Sequence, residues 1–332
     1  MTPPMLRVAL LYNLRRGKPT AETLDAEYDP PATVDALEAS LRAGGTSVTR
    51  IEADAACAER LRAEAPDVVF NVAEGLRGAS REAHVPAICE MLGIPCTGSG
   101  VLAQAVCQDK PFALRVLRDA GIPTAQFWEV EVGSPPPAAE LPLFVKPARQ
   151  GSSMGVTEGS LCRTADELAA RVWEIHEQFG EPALVESFLP GREFTVGILD
   201  RPLRALPIRE IMFGELPAGY PPVYSYKFKK EWDDARFFTC PPDVPPQMDR
   251  RLVDLALGAF RALRCVDVAR VDLRCDALGR PAVMECNPLP GLAPDFSDLP
   301  CMATVGGLSY ADLVLSILDA ACRRSGLNWR RP

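Results

Sequence analysis

The stretches VARVDLRCD at residues 268–276 and VMECNPLPG at residues 283–291 decide the fold and chemistry expected of this chain. Both consist mostly of apolar and β-branched residues with acidic residues between them, which predicts two β-strands. Side chains two positions apart point to the same face of a strand, so Arg270 and Asp272 are predicted to lie side by side. These stretches therefore predict a sheet that carries charged groups on one face.

The second strand carries the remaining polar groups of this predicted face. Glu285 and Asn287 are also two positions apart and share a face by the same rule. Two carboxylates and an amide oxygen are hard ligands of the kind that magnesium binds beside phosphates. The sequence therefore predicts a nucleotide-associated metal site made by Asp272, Glu285 and Asn287.

A phosphate-binding segment is predicted in FVKPARQGSSMGV at residues 144–156. An apolar strand delivers Lys146, and the Gly/Ser loop that follows offers backbone N–H groups and the hydroxyls of Ser152 and Ser153. Backbone donors together with one ammonium group can hold a triphosphate.

A nucleoside-binding segment is predicted in ALVESFLPGREFTVGIL at residues 183–199. Glu186 ends one apolar strand and Glu193 begins the next, which places carboxylates where ribose hydroxyls and an adenine amino group need acceptors. Lys110, in QDKPF ahead of a helix, is a further candidate for a phosphate contact.

The composition excludes several classes of protein. A net charge of −8 in 332 residues argues against nucleic-acid binding, which needs a basic surface. The eleven cysteines are scattered, without a CxxC pair or a His/Cys cluster at zinc spacing. No apolar run approaches the ~20 residues of a membrane span, and the N-terminus has no cleavage-site pattern. We expect a cytoplasmic protein in a reducing setting that contacts neither membrane nor nucleic acid.

The order of predicted elements indicates an α/β protein. Strands alternate with helices over residues 1–100, which predicts a parallel, doubly wound sheet. A second unit begins with one helix over Gln104–Ala120, and a third unit follows the proline- and tyrosine-rich stretch that ends near Pro246. A long loop is predicted between the second charged strand and a final helix at Tyr310–Cys322.

The ordered series of these motifs resembles the D-alanine–D-alanine ligases over most of residues 65–320. The series consists of Lys110, Lys146-Pro147 with its Gly/Ser loop, Glu186 to Glu193 across FLPG, Arg270-Val-Asp272, and Glu285-Cys-Asn287 with Pro290-Gly291. The resemblance implies the ATP-grasp fold. It places an N-terminal parallel-sheet, pre-ATP-grasp substrate domain at residues 1–100 and two α+β subdomains that clamp ATP at 101–190 and 191–332.

The resemblance also implies roles for single residues. The residues implied for ATP are Lys110 and Lys146 at the phosphates, Ser152 and Ser153 in a loop that closes over them, Glu186, Leu189 and Glu193 around adenosine, and Met284 on the adenine. The catalytic residues implied are Arg270 and the Gly291 N–H at the oxyanion, Lys229 at the transferred phosphate, and Ser153. Asp272, Glu285 and Asn287 would hold two Mg²⁺ ions, with Mn²⁺ as an alternative.

Substrate recognition departs from the family pattern. The first loop, NLRRGKPTAETLDAEYDPP, offers only Glu22 or Glu27 where the family binds the first amino acid. A family histidine is Glu74 here, a family tyrosine aligns with Lys230, and the loop for the second carboxylate contains Asp295 and Ser297. Changes of charge at a substrate site usually change specificity.

The leading hypothesis is an ATP-dependent ligase that forms a peptide or amide bond between a carboxylate, expected to be an amino acid, and an amine through an acyl-phosphate. A true D-alanine–D-alanine ligase of peptidoglycan synthesis is one alternative. An ATP-grasp phosphotransferase and an ATP-binding pseudo-ligase are others, which the presence of Arg270, Gly291 and all three metal ligands argues against. The resemblance also implies a homodimer.

Overall fold

The structure of the protein is a computed structural model. It describes residues 5–17, 26–214, 216–217, 220–231 and 235–331, apart from the side chains of Tyr226, Lys230 and Ala235. All statements below concern these residues.

The N-terminal part contains the predicted parallel sheet. Strands β1 (Arg7–Tyr12), β2 (Ser47–Glu52) and β3 (Val68–Asn71) pair in parallel in the order β2-β1-β3. Helix α1 (Pro31–Ala43) packs on one face, and α2 (Cys57–Glu64) and α3 (His84–Leu92) pack on the other. Because both faces of β1 are covered, its sequence is a continuous apolar run, and the predicted doubly wound arrangement is confirmed.

The helix predicted over Gln104–Ala120 is wrong as a single element. The structure has α4 (Val101–Gln108) and α5 (Lys110–Asp119), separated at Asp109. Asp109 has extended backbone angles, and its side chain accepts a hydrogen bond from Phe112 N, so it caps α5. Pro111 disfavours helical geometry before it and cannot donate a backbone hydrogen bond, so the break falls here.

An antiparallel sheet follows, in the order β4-β7-β5-β6. Its strands are β4 (Phe127–Val130), β5 (Leu143–Pro147), β6 (Leu161–Cys162) and β7 (Ala183–Ser187). Helix α6 (Ala165–Phe179) covers one face and begins with a capping box between Thr164 and Glu167.

The third sheet has the order β11-β10-β8-β12-β13, with β9 paired to β8. Its strands are β8 (Glu193–Leu199), β9 (Arg204–Ala205), β10 (Arg209–Ile211), β11 (Phe238–Thr239), β12 (Val268–Cys275) and β13 (Pro281–Asn287). Helix α8 (Pro246–Ala262) packs on one face through an apolar stripe that includes Leu252, Ala256 and Phe260. The two strands predicted from the charged stretches are therefore neighbours, as expected.

Two helices were missed by the sequence analysis. Helix α7 (Tyr226–Glu231) lies in the tyrosine- and lysine-rich stretch, and α9 (Asp298–Val305) lies in the predicted long loop. Both are short, and Leu299 and Met302 of α9 are buried in a core shared with β8 and the N-terminal sheet. Tertiary packing rather than local periodicity stabilises such helices.

The last helix, α10 (Tyr310–Arg324), packs against α1 and joins the C-terminal part of the chain to the N-terminal sheet. The Arg324 guanidinium at the end of α10 lies 2.7 Å from a carboxylate oxygen of Asp267 and donates to the carbonyl of Cys96 in the N-terminal part (2.8 Å). The fully buried Asp267 side chain also accepts a hydrogen bond from Gly98 N (3.0 Å). The domain boundaries at residues 100 and 190 stay predictions.

We expect Asp267→Asn to lower the free energy of unfolding by about 2–3 kcal/mol, because the charge-assisted bonds to Arg324 would be lost in a buried setting. Asparagine tolerates the left-handed backbone of residue 267, where φ is 63°, so the change isolates the charge. Urea unfolding measures the effect. Asp35→Asn, at a carboxylate 63% exposed beside Arg50, should have a much smaller effect, and equal losses for the two variants would contradict the account.

Among the described residues, no single helix is long and apolar enough to cross a membrane. Helices α9 and α10 reach that length and composition only when taken together, and they meet at a bend of 105°. Both bury residues in the cores described above.

Candidate active site

A cleft lies between the β4-β7-β5-β6 sheet and the sheet that contains β8, β12 and β13. The residues predicted from sequence that line it are Lys110, Lys146, Ser152, Ser153, Glu186, Leu189, Glu193, Lys229, Arg270, Asp272, Met284 and Glu285. Segments far apart in sequence thus contribute to one site.

The charged strand pair forms one wall of this cleft. Arg270 donates two hydrogen bonds to Asp272, from Nε to Oδ1 (2.9 Å) and from Nη2 to Oδ2 (2.8 Å). In the antiparallel register Asp272 lies opposite Glu285 and Arg270 lies opposite Asn287. The shared face predicted from the alternation is therefore present.

A register shift between Asp272 and Leu273 lets Met284 and Glu285 both line the cleft. The residue opposite Asp272 is Glu285, whereas the residue opposite Leu273 is Val283, so Met284 is the extra residue of a β-bulge. Bulges change the direction in which neighbouring side chains point. This bulge breaks the strict alternation expected along β13.

Three oxygen donors on these strands fit a hard divalent cation. Glu285 accepts no hydrogen bond from any described residue, and its nearest ionic partner is Lys110 Nζ at 4.0 Å. Burial opposes its charge, but Lys110, Lys146 and Arg270 outweigh burial and lower the pKa of Glu285 to about 2. The carboxylate is therefore ionised at neutral pH and free to bind a cation.

Asn287 and Asp272 complete this donor set. Asn287 Nδ2 donates to Asp272 Oδ2 (3.0 Å), and its carbonyl oxygen has no hydrogen-bond donor among the described residues. Asp272 also accepts from the hydroxyl of Thr195 (2.6 Å). Carboxylate and amide oxygens are suitable ligands for magnesium, so the donors present fit that ion.

The lysines predicted to contact phosphate, Lys110 and Lys146, also line the cleft. Lys146 Nζ is 2.9 Å from Glu186 Oε2, and both side chains are buried. Burial would lower the pKa of Lys146, but the carboxylates of Glu186 and Glu285 raise it overall. Lys110 Nζ donates to the carbonyl of Gln150 (2.5 Å), which brings a second cation to the Gly/Ser loop.

The Gly/Ser loop itself contacts the segment before α7. Ser152 and Ser153 have left-handed backbone angles, with φ of 48° and 58°. The Ser153 hydroxyl donates to the carbonyl of Tyr224 (3.0 Å). This contact joins two segments over the cleft, an arrangement that can exclude water from a reaction.

The far end of the cleft contains a residue pair that the sequence analysis only half identified. Arg274 Nη1 donates to Glu193 Oε2 (2.8 Å), and both side chains are buried. The Arg274 guanidinium also lies over the ring of Phe188, 4.9 Å from its centroid. Arg274 continues the alternation of Arg270 and Asp272 along β12, so that period would have identified it.

Lys229 and Asp298 line the cleft together with Arg270. Burial and the nearby charge of Arg270 lower the pKa of Lys229. Asp298, at the start of α9, lines the cleft and lies 3.7 Å from Arg270 Nη1, while Arg209 donates to it at 2.8 Å. No local pattern indicates Asp298, because α9 itself was not predicted.

Several predicted candidates lie outside the lining of this cleft. Gly291 is exposed, and a Cβ added to it would lie 2.9 Å from the Ser297 hydroxyl, which would have to shift. Ser297 accepts a hydrogen bond from Ala293 N (3.1 Å), and the carboxylate of Asp295 is exposed. Glu22 and the side chain of Lys230 lie outside the described residues.

Glu74 lies beside a buried ion pair that the sequence analysis missed. Arg81 Nη2 is 2.6 Å from Glu27 Oε2, and both side chains are 3% exposed. Burial, together with the charges of Glu27 and Glu82, raises the pKa of Glu74 well above its ordinary value. The loop before α1 and the loop before α3 thus form one acidic wall held by an arginine.

This wall contacts the Gly/Ser loop directly. Arg81 Nη1 donates to the carbonyl of Arg149 (3.1 Å). A Cβ added to Gly151 would lie 2.2 Å from Glu27 Oε1, so a side chain there would displace Glu27. The first loop and the Gly/Ser loop therefore have a common anchor in Arg81.

Arg81→Met is expected to raise KM for the substrate that binds beside this wall by about 10- to 50-fold with a smaller change in kcat, because misplaced loops reduce binding and alignment. Steady-state turnover at varied substrate concentration measures both constants. Arg81→Lys keeps the charge and should restore part of the loss. Parallel falls in kcat and in folded fraction without a KM change would show that Arg81 serves stability alone.

Comparisons with known proteins give a consistent result. Residues 116–319 match the family model described as D-ala D-ala ligase C-terminus. The D-alanine–D-alanine ligase of Gluconobacter oxydans is 37% identical over 287 residues, which cover 84% of this chain and 89% of that protein. The D-alanine–D-alanine ligase of Desulforudis audaxviator is 34% identical and covers 87% and 92%.

The fold also has relatives among solved structures. A D-alanine–D-alanine ligase from Bacillus anthracis, crystallised with ATP, superposes with a TM-score of 0.76 over 97% of this chain and 99% of that chain. The two sequences are 24% identical, so this likeness shows the fold alone.

Proposed function

The chain belongs to the D-alanine–D-alanine ligase family and is an ATP-dependent, ADP-forming carboxylate–amine ligase, and we propose that the cleft described above is where it joins its substrates. The observation that carries this assignment is the ring of cations around an ionised carboxylate. Lys110, Lys146 and Arg270 all act on Glu285, whose pKa falls to about 2. Phosphoryl transfer to an anion needs this combination of cationic groups and a metal-binding carboxylate.

In the first proposed step, a carboxylate oxygen of the donor bonds to the γ-phosphorus of ATP while the bond to ADP breaks. Both reactants are anions, so their repulsion must be offset. Lys146 and Lys110 would hold the phosphate oxygens, and Lys229 would contact the transferring group. The backbone of the Gly/Ser loop would add N–H donors.

In the second proposed step, the amine nitrogen attacks the acyl carbon, phosphate leaves with the bridging oxygen, and the nitrogen loses a proton. Negative charge gathers on the former carbonyl oxygen, which Arg270 and the Gly291 N–H would stabilise. Arg270 is held for this role by two hydrogen bonds to Asp272. Water is a competing nucleophile, so the Ser153–Tyr224 contact supports the proposed exclusion of water.

Metal binding is proposed from the donor set and from family membership. Asp272, Glu285 and Asn287 would hold two Mg²⁺ ions, or Mn²⁺ in their place. Bound there, the ions would neutralise charge on the ATP phosphates. The ATP-bound Bacillus anthracis ligase, which shares the fold, supports ATP as the nucleotide. Glu186, Leu189, Glu193 and Met284 would surround adenosine, and all four line the cleft.

The donor is proposed to be an amino acid that enters beside the acidic wall of Glu27, Glu74 and Arg81. D-Alanine is the first candidate, because the relatives carry the name D-alanine–D-alanine ligase. A different amino acid is the second candidate. Glu27 already pairs with Arg81, which leaves Glu74 as the other acidic group of the wall, and an approaching ammonium group would favour its ionised form. A cytoplasmic location and a homodimer are further proposals that rest on family membership.

Incubation with ATP, Mg²⁺ and a panel of D- and L-amino acids, singly and in pairs, tests the proposal. ADP release is followed, and products are identified by mass spectrometry. We expect substrate-dependent ADP and a condensed product. ADP with a phosphorylated, uncondensed product would indicate a phosphotransferase, and ATP binding without turnover on the whole panel would favour a pseudo-ligase.

A further inference from the structure

Three buried thiols lie together behind the cation-binding strand. The Sγ atoms of Cys107, Cys265 and Cys286 all lie within 4.8 Å of one another, and the Cys265–Cys286 distance is 3.7 Å. The three residues are 6%, 5% and 2% exposed. They come from α4, from the loop between α8 and β12, and from β13, so the cluster joins three segments of the fold.

The distances between the three sulfur atoms suit ligands of one ion. With an ion–sulfur bond of about 2.3 Å, two sulfurs on one ion lie about 3.3–4.0 Å apart, the shorter distances belonging to a pyramidal ion and the longer ones to a planar ion. The observed 3.7 Å and the 4.8 Å limit are within small side-chain rotations of that value. Thiolates select soft, thiophilic ions over hard ones.

The presence of three sulfur ligands restricts the class of ion that the cluster can bind. Among the described residues the group contains no fourth cysteine and no histidine, aspartate or glutamate. Structural zinc is almost always held by four such ligands, so a zinc site would be incomplete here. An ion that is satisfied by three sulfurs fits the cluster better.

The net charge of the ion together with three thiolates restricts the class of ion further. Three thiolates with Cu⁺ carry a net charge of −2 and with Zn²⁺ a net charge of −1, whereas a trivalent ion leaves the group neutral. The three cysteines belong to an apolar core with Val271 and Val283, where an uncompensated charge is costly. We propose that the thiol cluster of Cys107, Cys265 and Cys286 binds one trivalent thiophilic ion, with arsenite as the chemical type.

The reaction balances without any change of oxidation state. Arsenous acid, As(OH)₃, exchanges its three hydroxyl groups for three sulfurs, and each thiol proton leaves in a water molecule. Three As–O bonds and three S–H bonds break, and three As–S bonds and three O–H bonds form. As(OH)₃ is small and uncharged at neutral pH, so local opening of the core gives it access.

The bound ion would act on the metal-binding strand. Cys286 stands between Glu285 and Asn287 in β13, and its thiol lies in the core whereas Glu285 lines the cleft. Fixing Cys286 to α4 and to the loop before β12 would restrict that strand. Binding of an ion at the three thiols does not depend on which substrates the cleft accepts.

Purified full-length protein treated with arsenite and desalted, followed by elemental analysis, tests the inference. We expect one tightly held arsenic atom per chain, a rise in the unfolding temperature, and three thiols protected from a thiol reagent. Cys265→Ala and Cys107→Ala should each lose the tight binding. Cys322→Ala, a change at another fully buried cysteine in α10, should keep it.

Circular dichroism of each variant establishes that it folds, and two variants keep the test decisive if one fails. Cys89 and Cys96 are also in contact and could form a two-thiol site. Binding that persists in Cys265→Ala and Cys107→Ala and disappears in Cys89→Ala would overturn the inference. Stoichiometric zinc or copper at the three thiols, with no binding of arsenite, would overturn the trivalent assignment.

Discussion

Glu285→Gln is expected to lower kcat by about 10²- to 10³-fold, the range typical of removing one charge-stabilising group from an active site. Glutamine keeps the size of the side chain but removes the charge. Three cations then face one another without the carboxylate that lowers their repulsion, and the hard-oxygen donor set loses its free carboxylate. Steady-state ADP release at saturating ATP and Mg²⁺ measures the change.

The matched control is Glu131→Gln, the same chemical change at an exposed residue outside the cleft. It should leave kcat unchanged. Raising the Mg²⁺ concentration should recover part of the Glu285→Gln activity if the loss lies in metal affinity. Wild-type kcat in a folded Glu285→Gln protein would contradict the assignment of Glu285 to the metal site.

Arg270→Lys is expected to lower kcat by about 10²- to 10³-fold while the KM for ATP changes little. Lysine keeps the charge, but it cannot make the two parallel hydrogen bonds that hold Arg270 on Asp272. The cation would no longer be held where charge develops in the transition state. Rapid-mixing assays of ADP formation and product formation would locate the loss.

Arg280→Lys serves as the control, because Arg280 lies on the same hairpin with its side chain 73% exposed. It pairs with Asp276 outside the cleft and should have wild-type kinetics. If Arg270→Lys lowers the affinity for ATP and leaves kcat unchanged, Arg270 binds nucleotide and does not stabilise the oxyanion.

The strand-borne part of the site could be predicted from the sequence because strand geometry is strictly periodic. Alternation predicted that Arg270 and Asp272 share a face, and the structure joins them by two hydrogen bonds. The alternation of strands with helices over residues 1–100 predicted a parallel, doubly wound sheet, and β1 is covered on both faces as that arrangement requires. Local sequence contains this information because it depends only on neighbours two positions apart.

The parts of the site that could not be predicted from the sequence depend on contacts between distant segments. Asp298 joins the site through α9, a helix stabilised by packing of Leu299 and Met302. Arg81 meets Glu27 across 54 residues, and no spacing rule connects them. The bulge at Met284 is also invisible in the pattern, since one extra residue shifts the register without a glycine to mark it.

The central claim is that an acyl-phosphate forms before the amine attacks, and an isotope measurement tests this claim most directly. The amino-acid donor identified in the panel is labelled with ¹⁸O in both carboxylate oxygens and condensed by the enzyme with unlabelled ATP. Mass spectrometry of the inorganic phosphate then follows the label. The acyl-phosphate route predicts one ¹⁸O atom in each phosphate formed. Condensed product accompanied by unlabelled phosphate, or by label in AMP, would contradict it.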